Sequence, residues 1–347
     1  MICFCWSQLP YYAANCIGAF VQQAKERVVV VATRPKVPIR GMEHVAGCDV
    51  KWVLSETEDR GIISLTGEMP QFLFVSGWAI PIFNRYRDEV RAAGGKVYAM
   101  SDGNSESWLV AVIRAIRFRL RYRSKYDGFF VPGKSGFRLF RMFGVESSRI
   151  STGLYSADPL IFHGEVPLSK RQKRMVYVGR FEPVKNVLAL CEAFRMASGA
   201  AQGWRLELYG CGSLKDKIIA RDGIYIYDFL QPLELSEVYR SARAFVLPSV
   251  CEPWGVVVHE AALSGCVLLL SDCVGAADDL TGVHNGIRFN PRRVADISHA
   301  MQKVFAMTDD ELDLAYRESL QQASRISPKA FAEGANRLLT LKKVAVK

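Results

Sequence analysis

The chain has 347 residues, half of them hydrophobic and 23% charged, and 45 basic against 35 acidic residues give a formal net charge of +10. That length suits two domains better than one core, and no apolar run reaches the length of a membrane-spanning helix. The cationic excess calls for an anionic partner, such as nucleic acid, anionic lipid headgroups or phosphorylated substrates, while the nine scattered cysteines form no Cys-x-x-Cys pair and no zinc-site spacing.

The opening run Met1 to Trp6 is apolar but lacks a basic leader, and Gln8, Pro10 and Asn15 interrupt any signal-peptide core. It reads as the first strand of a cytoplasmic protein, with Cys3 and Cys5 alternating onto one face as small buried residues. Further β-rich runs fall at residues 27–33, 50–54, 71–75, 96–99 and 128–131. They alternate with helical patterns, which predicts a parallel sheet covered by helices.

Residues 108–126 carry a basic helical pattern. Leu109, Val112, Ile113, Ile116 and Leu120 share one face, while Arg114, Arg117, Arg121 and Lys125 share another. The apolar stripe is expected in the domain core, and the surplus cations toward an anionic membrane surface or phosphate groups. Nucleic acid is not an expected partner, because stacking aromatics are not interleaved with the cations.

The stretch from Gly128 to Ser135 spells the phosphate-binding loop of nucleotide hydrolases, with Gly133, Lys134 and Ser135 in place. Its context rejects the spelling. In a working loop the strand precedes the first glycine, whereas here Phe129 to Val131 read as the strand itself. Residues 158–174, rich in proline and charge, are the candidate linker. The second half repeats the strand–helix rhythm, with runs at residues 174–178, 205–209, 224–227, 243–248 and 267–271. Two Rossmann-like α/β domains facing across a deep cleft are the expected architecture, with ligands beyond the carboxyl ends of strands.

Three segments at those ends carry chemistry. Gly179 permits a sharp turn after the run 174–178, and Arg180 and Lys185 follow it beside a helix start, a planar fork and a mobile point charge suited to a diphosphate. Gly210-Cys-Gly212 starts like a dinucleotide fingerprint, but the third glycine would fall at Lys215. Close backbone approach to a ligand is the better use for the pair. In Glu252-Pro-Trp-Gly-Val-Val-Val-His-Glu260 the first carboxylate sits in a strand-to-helix turn and the second about one helical turn inside a helix closed by Gly265. The helix terminus between them seats a phosphate, and the carboxylates accept hydrogen bonds from sugar hydroxyls. The pattern suits a nucleotide-sugar.

These segments, with Val246-Leu-Pro-Ser249 and His284-Asn-Gly286, resemble in order and spacing the family 4 glycosyltransferases of GT-B fold, over roughly residues 170 to 292. The resemblance implies an acceptor-side domain over residues 1–165, a nucleotide-sugar-binding domain over 166–327, and a C-terminal helix in 328–347 that returns to the first domain. It implies transfer of a hexosyl-type sugar from a nucleotide-diphosphate donor to a hydroxyl, with retained configuration; the basic charge without a membrane span of its own makes a saccharide or lipid-linked acceptor of surface polysaccharide or lipopolysaccharide synthesis the expected partner. Arg180 and Lys185 would bind the diphosphate and Glu252 the sugar. Gly210 and the backbone of Gly255, Val256 and Val257 would approach the donor, Glu260 would hold the ribose, and Tyr227, Asp228 and Phe229 would line the base. No metal and no cofactor beyond the donor substrate are implied. From the N-terminal run and the basic helical pattern at 108–126, the expected location is cytoplasmic, peripheral on the inner face of the membrane. The first half departs from the family. A glycine pair is missing after the first strand, Tyr155-Ser-Ala-Asp158 replaces the usual Asn-Gly-Val-Asp, and Met100-Ser-Asp102-Gly stands where many members carry a His near the reacting sugar. Asp102 could take over the orienting role of that His. Alternatives are a non-catalytic nucleotide-sugar-binding module and the nucleotide hydrolase of the Gly128–Ser135 spelling.

Overall fold

A computed structural model describes residues 1–35, 38–54, 60–103 and 108–341, with the backbone alone for 108–111. The chain divides into two compact units. One comprises Met1–Gly103, the described residues up to Ser156, and the chain from Ser327; the other runs from Ala157 to Ile326.

The first unit holds β1 (Ile2–Trp6), β2 (Val28–Ala32), β3 (Asp49–Trp52), β4 (Phe72–Ser76), β5 (Lys96–Met100), β6 (Gly128–Val131) and β7 (Ile150–Thr152). All pair in parallel in the order β3-β2-β1-β4-β5-β6-β7. Helices cover both faces, so the central strands are continuously apolar rather than alternating. Along β1, Ile2, Phe4 and Trp6 enter one core while Cys3 and Cys5 enter the other, all buried. Burial holds the Cys5 thiol well above its usual range.

The C-terminal helix Pro328–Leu339 belongs to this unit. Ser327 caps it by accepting from the Ala330 amide, Phe331 packs on Phe4 and Phe130, and the Gly334 carbonyl accepts from Ser151 Oγ at 2.8 Å. A Cβ at Gly334 would lie 2.4 Å from the Thr152 carbonyl, so glycine sets how closely the helix meets β7. Residues 342–347 lie outside the described residues.

The helix Trp108–Arg121 corrects the expected apolar stripe. It buries Ala115 and Phe118, with Tyr122 partly buried just beyond it, whereas Ile113, Ile116 and Leu120 are 67%, 54% and 79% exposed. Phe118 enters an aromatic cluster of Trp78, Phe129, Phe140 and Phe143, with ring centroids 5.1–5.6 Å away. That contact sets the rotation of the helix and turns the aliphatic ridge outward. The side chain of Leu109 lies outside the description.

The second unit holds β8 (Gln172–Val178), β9 (Arg205–Tyr209), β10 (Ile224–Tyr227), β11 (Ala242–Leu247), β12 (Val267–Ser271) and β13 (Gly286–Phe289), parallel in the order β10-β9-β8-β11-β12-β13. In both sheets the order reverses beside the first strand, so β8 and β11 flank the switch point where ligands of open α/β sheets bind.

The proline- and charge-rich run belongs to this unit. The Ala157 amide donates to His259 Nδ1 at 2.9 Å, and His259 Nε2 donates to the Ala323 carbonyl at 3.0 Å. Both imidazole nitrogens are thereby used by backbone groups, and full burial lowers the His259 pKa to about 4. Arg171 is likewise buried and donates to the carbonyls of Val166, Tyr239, Ala242 and Ser264 at 2.8–3.2 Å. The unit therefore begins at Ala157, ahead of the position that composition alone suggested.

Candidate functional site at the carboxyl edge of the second sheet

The loops after β8, β9, β10 and β11 emerge on one edge and are laced together by backbone hydrogen bonds. The Gly179 amide donates to the Tyr209 carbonyl at 3.0 Å, the Gly210 amide to the Tyr227 carbonyl at 3.1 Å, and the Phe181 amide to the Cys211 carbonyl at 2.8 Å. Gly210 has φ +145° and Gly212 +155°. A Cβ on them would lie 2.1 Å from the Gly179 carbonyl oxygen and 2.6 Å from that of Phe181. The space that the two glycines leave open is thus filled by the β8 loop, which corrects the reason expected for them. Their first task is to let neighbouring loops pack.

In the β8 loop the Arg180 carbonyl is held by the Tyr177 hydroxyl at 2.8 Å, and its side chain is exposed. Ser213 donates from its amide and hydroxyl to Glu182 at 3.2 and 2.7 Å, tying the β9 loop to the β8 loop. Lys185 closes the short 3-10 turn Pro183–Lys185, and Asn186 then takes a left-handed conformation and anchors to the Pro291 carbonyl at 2.7 Å. Lys185 Nζ forms an ion pair with Glu252 Oε2, with side chains only 16% and 11% exposed. Ser249 Oγ donates to the same carboxylate oxygen at 3.3 Å.

Glu252 stands on a rigid turn. Its amide donates to the Cys273 carbonyl at 3.1 Å, its carbonyl accepts from the Gly275 amide at 3.0 Å, and the Trp254 carbonyl accepts from the Ala276 amide at 2.9 Å. Trp254 is buried and its indole donates to Asp279 at 3.3 Å. Gly255, at φ +95°, starts the helix Val256–Leu263, so the free amides of that first turn lie just past Glu252. Glu260 sits in the second turn, partly buried. Tyr239 Oη donates to Glu260 Oε2 at 3.3 Å and lies 3.5 Å from the Val257 carbonyl. Burial pushes the Glu260 carboxyl up to about 7, against the opposing pull of the Tyr239 hydrogen bond.

Tyr227, Asp228 and Phe229 are at the end of edge strand β10. Tyr227 is 40% exposed and stacks on Tyr209 with centroids 4.7 Å apart and planes at 13°. Asp228 pairs with Lys215 at 2.5 Å in solvent, and Phe229 is partly buried.

The structure therefore gathers Lys185 and Glu252 directly and sets Arg180, Gly210, Gly255, Val256, Val257 and Glu260 on the same sheet edge. Asp102 lies in the other unit, just after β5, where the Tyr155 hydroxyl donates to it. Burial and then the Asp102 charge hold that phenol well above its usual range. The spurious phosphate loop resolves as expected: Phe129, Phe130 and Val131 are strand residues of β6, and Lys134 opens the following helix. Among the described residues no group of three or more His, Cys, Asp or Glu side chains is placed to hold a metal ion.

Sequence reasoning quoted Ser249 in a motif without giving it a role, left Tyr239 out, and gave none to Tyr209. The partners of Ser249 and Tyr239 depend on the fold. Tyr209 had a legible signal: it ends its strand as Tyr227 ends the next, and parallel register makes them neighbours.

Residues 172–307 match the sequence profile of the family described as Glycosyl transferases group 1. Among curated relatives, a D-inositol 3-phosphate glycosyltransferase of Gordonia bronchialis is 25% identical over 195 residues, 49% of this chain and 43% of that one. An O-antigen chain mannosyltransferase B of Escherichia coli is 27% identical over 162 residues, 44% of this chain and 42% of that one. The chain spans less than half the length of the curated relatives it matches. Among solved structures, HepE of Anabaena in complex with UDP and glucose superposes with a TM-score of 0.75 at 13% identity, covering 98% of this chain and 99% of that one. The fold is that of GT-B glycosyltransferase structures.

Proposed function

We propose that this chain is a retaining glycosyltransferase of the group 1 kind. It would move a hexosyl-type sugar from a nucleotide-diphosphate donor to a hydroxyl of a saccharide or lipid-linked acceptor in surface polysaccharide or lipopolysaccharide synthesis. One observation carries the reading. A cation and a carboxylate, Lys185 and Glu252, meet at the switch point of a parallel sheet, one turn before a helix N-terminus, inside the segment that matches the family profile. Support for the donor class comes from the solved neighbour with UDP, and for the acceptor class from the O-antigen relative.

The chemistry follows from the residues. The diphosphate lies at the amides of Val256 and Val257, where the helix dipole favours anions. Arg180 adds a planar fork and Lys185 a point charge. As the glycosidic bond breaks, negative charge grows on the departing diphosphate, and those cations stabilise it without rearranging. Glu252 accepts from sugar hydroxyls, Glu260 from the ribose, and Tyr227 with Phe229 offers apolar surface to the base. In this reading no metal is needed, and Asp102 is the candidate to orient the acceptor side.

The test is thermal melting of the purified chain with UDP-, GDP- and ADP-sugars, followed by a transfer assay in chelator with the anomeric configuration read by NMR. One donor family should raise the melting temperature, and transfer should proceed in chelator with retention. Absence of both a thermal shift and any donor turnover would overturn the proposal. A second reading, a non-catalytic module that only binds the donor, draws on the family His being replaced by an Asp102 already engaged by Tyr155. A thermal shift without hydrolysis or transfer would select it.

Glu260 makes the donor site pH-dependent. Ribose hydroxyls donate to a carboxylate, yet this carboxyl titrates at about 7, so binding below that value must also remove a proton. Donor affinity is expected to rise about tenfold between pH 6 and 8, and Glu260→Gln to flatten that slope in calorimetric titrations. An unchanged slope in the variant would remove Glu260 from the site. Folding responds with the opposite sign. The carboxyl is raised above its unfolded value, so its contribution to stability is full below about pH 4.5 and is lost as pH rises through about 7.

A further inference from the structure

The outward ridge of the helix Trp108–Arg121 is the feature that the donor site leaves unused. At ~100° per residue the buried Ala115 and Phe118 and the partly buried Tyr122 share one side, and Ile113 and Leu120 point almost directly away from it. They are 67% and 79% exposed, with Ile116 beside them at 54%. A helix serving only its own core buries its aliphatic residues and exposes its polar ones; here the residues farthest from the core are aliphatic. Beside the ridge, Arg119 crosses to the next helix and donates to the carbonyls of Met142 and Phe143 at 3.1 and 3.0 Å.

The charge around the ridge says what covers it. Arg117 and Arg121 flank it, both exposed, and no carboxylate among the described residues pairs with either. Exposed Lys125 lies one turn further, and no acid occurs from Val112 to Tyr126. An aliphatic ridge edged on one side by unpaired cations matches the boundary of a bilayer, where acyl chains meet phosphate. A protein partner would need acids facing Arg117 and Arg121, and a second copy of this helix would bring cations against cations.

We infer that this helix face is a docking surface for an anionic lipid bilayer, with Ile113, Ile116 and Leu120 entering the headgroup–acyl boundary and Arg117 and Arg121 meeting lipid phosphates. The inference goes beyond the donor reading and does not depend on it.

The experiment is co-sedimentation of the full chain with phosphatidylcholine vesicles, with and without phosphatidylglycerol, at low and high salt and without any donor. Wild type should partition onto the anionic vesicles only, less so in high salt. Arg117→Gln and Arg121→Gln should each weaken partition about fivefold. Ile113→Ser/Ile116→Ser/Leu120→Ser should weaken it at least tenfold. All three variants change exposed positions, so unchanged melting temperatures verify the fold. Equal partition onto neutral and anionic vesicles, or partition indifferent to every variant, would overturn the proposal. So would a wild-type dimer that binds no vesicles and that the triple variant converts to monomer, which would assign the face to self-association. A failure here leaves donor-induced melting shifts untouched, so the two proposals fall separately.

Discussion

Lys185→Ala and Glu252→Ala will each lower sugar transfer about 100- to 1000-fold. The double variant will stay as inactive as the singles while melting closer to wild type than either of them. The two side chains form one nearly buried ion pair, 16% and 11% exposed. Removing Lys185 takes the cation from a carboxylate that also accepts from Ser249 Oγ at 3.3 Å; removing Glu252 takes the anion from an ammonium group. Either loss breaks a nearly buried ion pair from one side and costs up to about 3 kcal/mol. Removing both takes the charge problem away and leaves mainly lost packing. Activity follows a different logic, because the cation stabilises the leaving diphosphate and the carboxylate holds the sugar, and neither task is restored by deleting the other group. Melting curves and turnover of the three variants check this. Singles that transfer at wild-type rate, or a double variant that recovers transfer, would show the pair to be structural only.

Gly210→Ala will destabilise the second unit strongly and abolish the nucleotide-induced melting shift, although the new methyl group carries no charge and removes no hydrogen bond. Its Cβ would sit 2.1 Å from the Gly179 carbonyl oxygen, at a φ of +145° that only glycine adopts readily. Backbone must move, and the backbone that moves is the turn carrying Arg180. The strain alone costs about 1–3 kcal/mol, and the clash adds to it. Gly203→Ala is the control. That glycine also has a positive φ, +76°, but nothing lies within 4 Å of its Cβ position, so a loss of about 1 kcal/mol from backbone strain alone is expected, with nucleotide binding retained. If Gly210→Ala melts like Gly203→Ala and still responds to nucleotide, the packed loops do not hold the site.

Particular residues show how much of this molecule was legible in its sequence. The strand signals at 128–131, 205–209 and 267–271 coincide with β6, β9 and β12, interior strands that are mostly buried, and the one at 224–227 coincides with edge strand β10, whose alternating Ile and Tyr residues favour a strand. The edge strands β7 and β13 were not seen: Ile150–Thr152 and Gly286–Phe289 are short and include Ser151, Thr152 and Arg288. Three or four residues with polar side chains among them leave too short an apolar run to read as a strand. Residues 158–174 resembled a linker by composition, yet Arg171 within that run, and His259 on Ala157 just before it, bind it into the second unit through backbone groups that no side-chain pattern reports. The helical wheel of residues 108–126 found an aliphatic and a basic stripe and assigned the aliphatic one to the core, whereas Ala115 and Phe118, which belong to neither, face inward. Periodicity defines a helix's faces, and only the aromatic cluster around Phe118 decided which face turned inward.

By itself the sequence determined the alternation of strands and helices, the turn that lifts Glu252 to the end of β11, and the separation of Glu260 from it by about one helical turn. Each is encoded within about ten consecutive residues, where apolar spacing and glycine placement act directly on the backbone. The tertiary structure alone decided that Lys185 pairs with Glu252 across 67 positions, that Tyr239 rather than a cation holds Glu260, and that the Gly179 turn fills the space beside Gly210. Those contacts depend on which strands lie side by side. Strand order is settled by the competition of whole faces for burial and leaves no mark at any single residue.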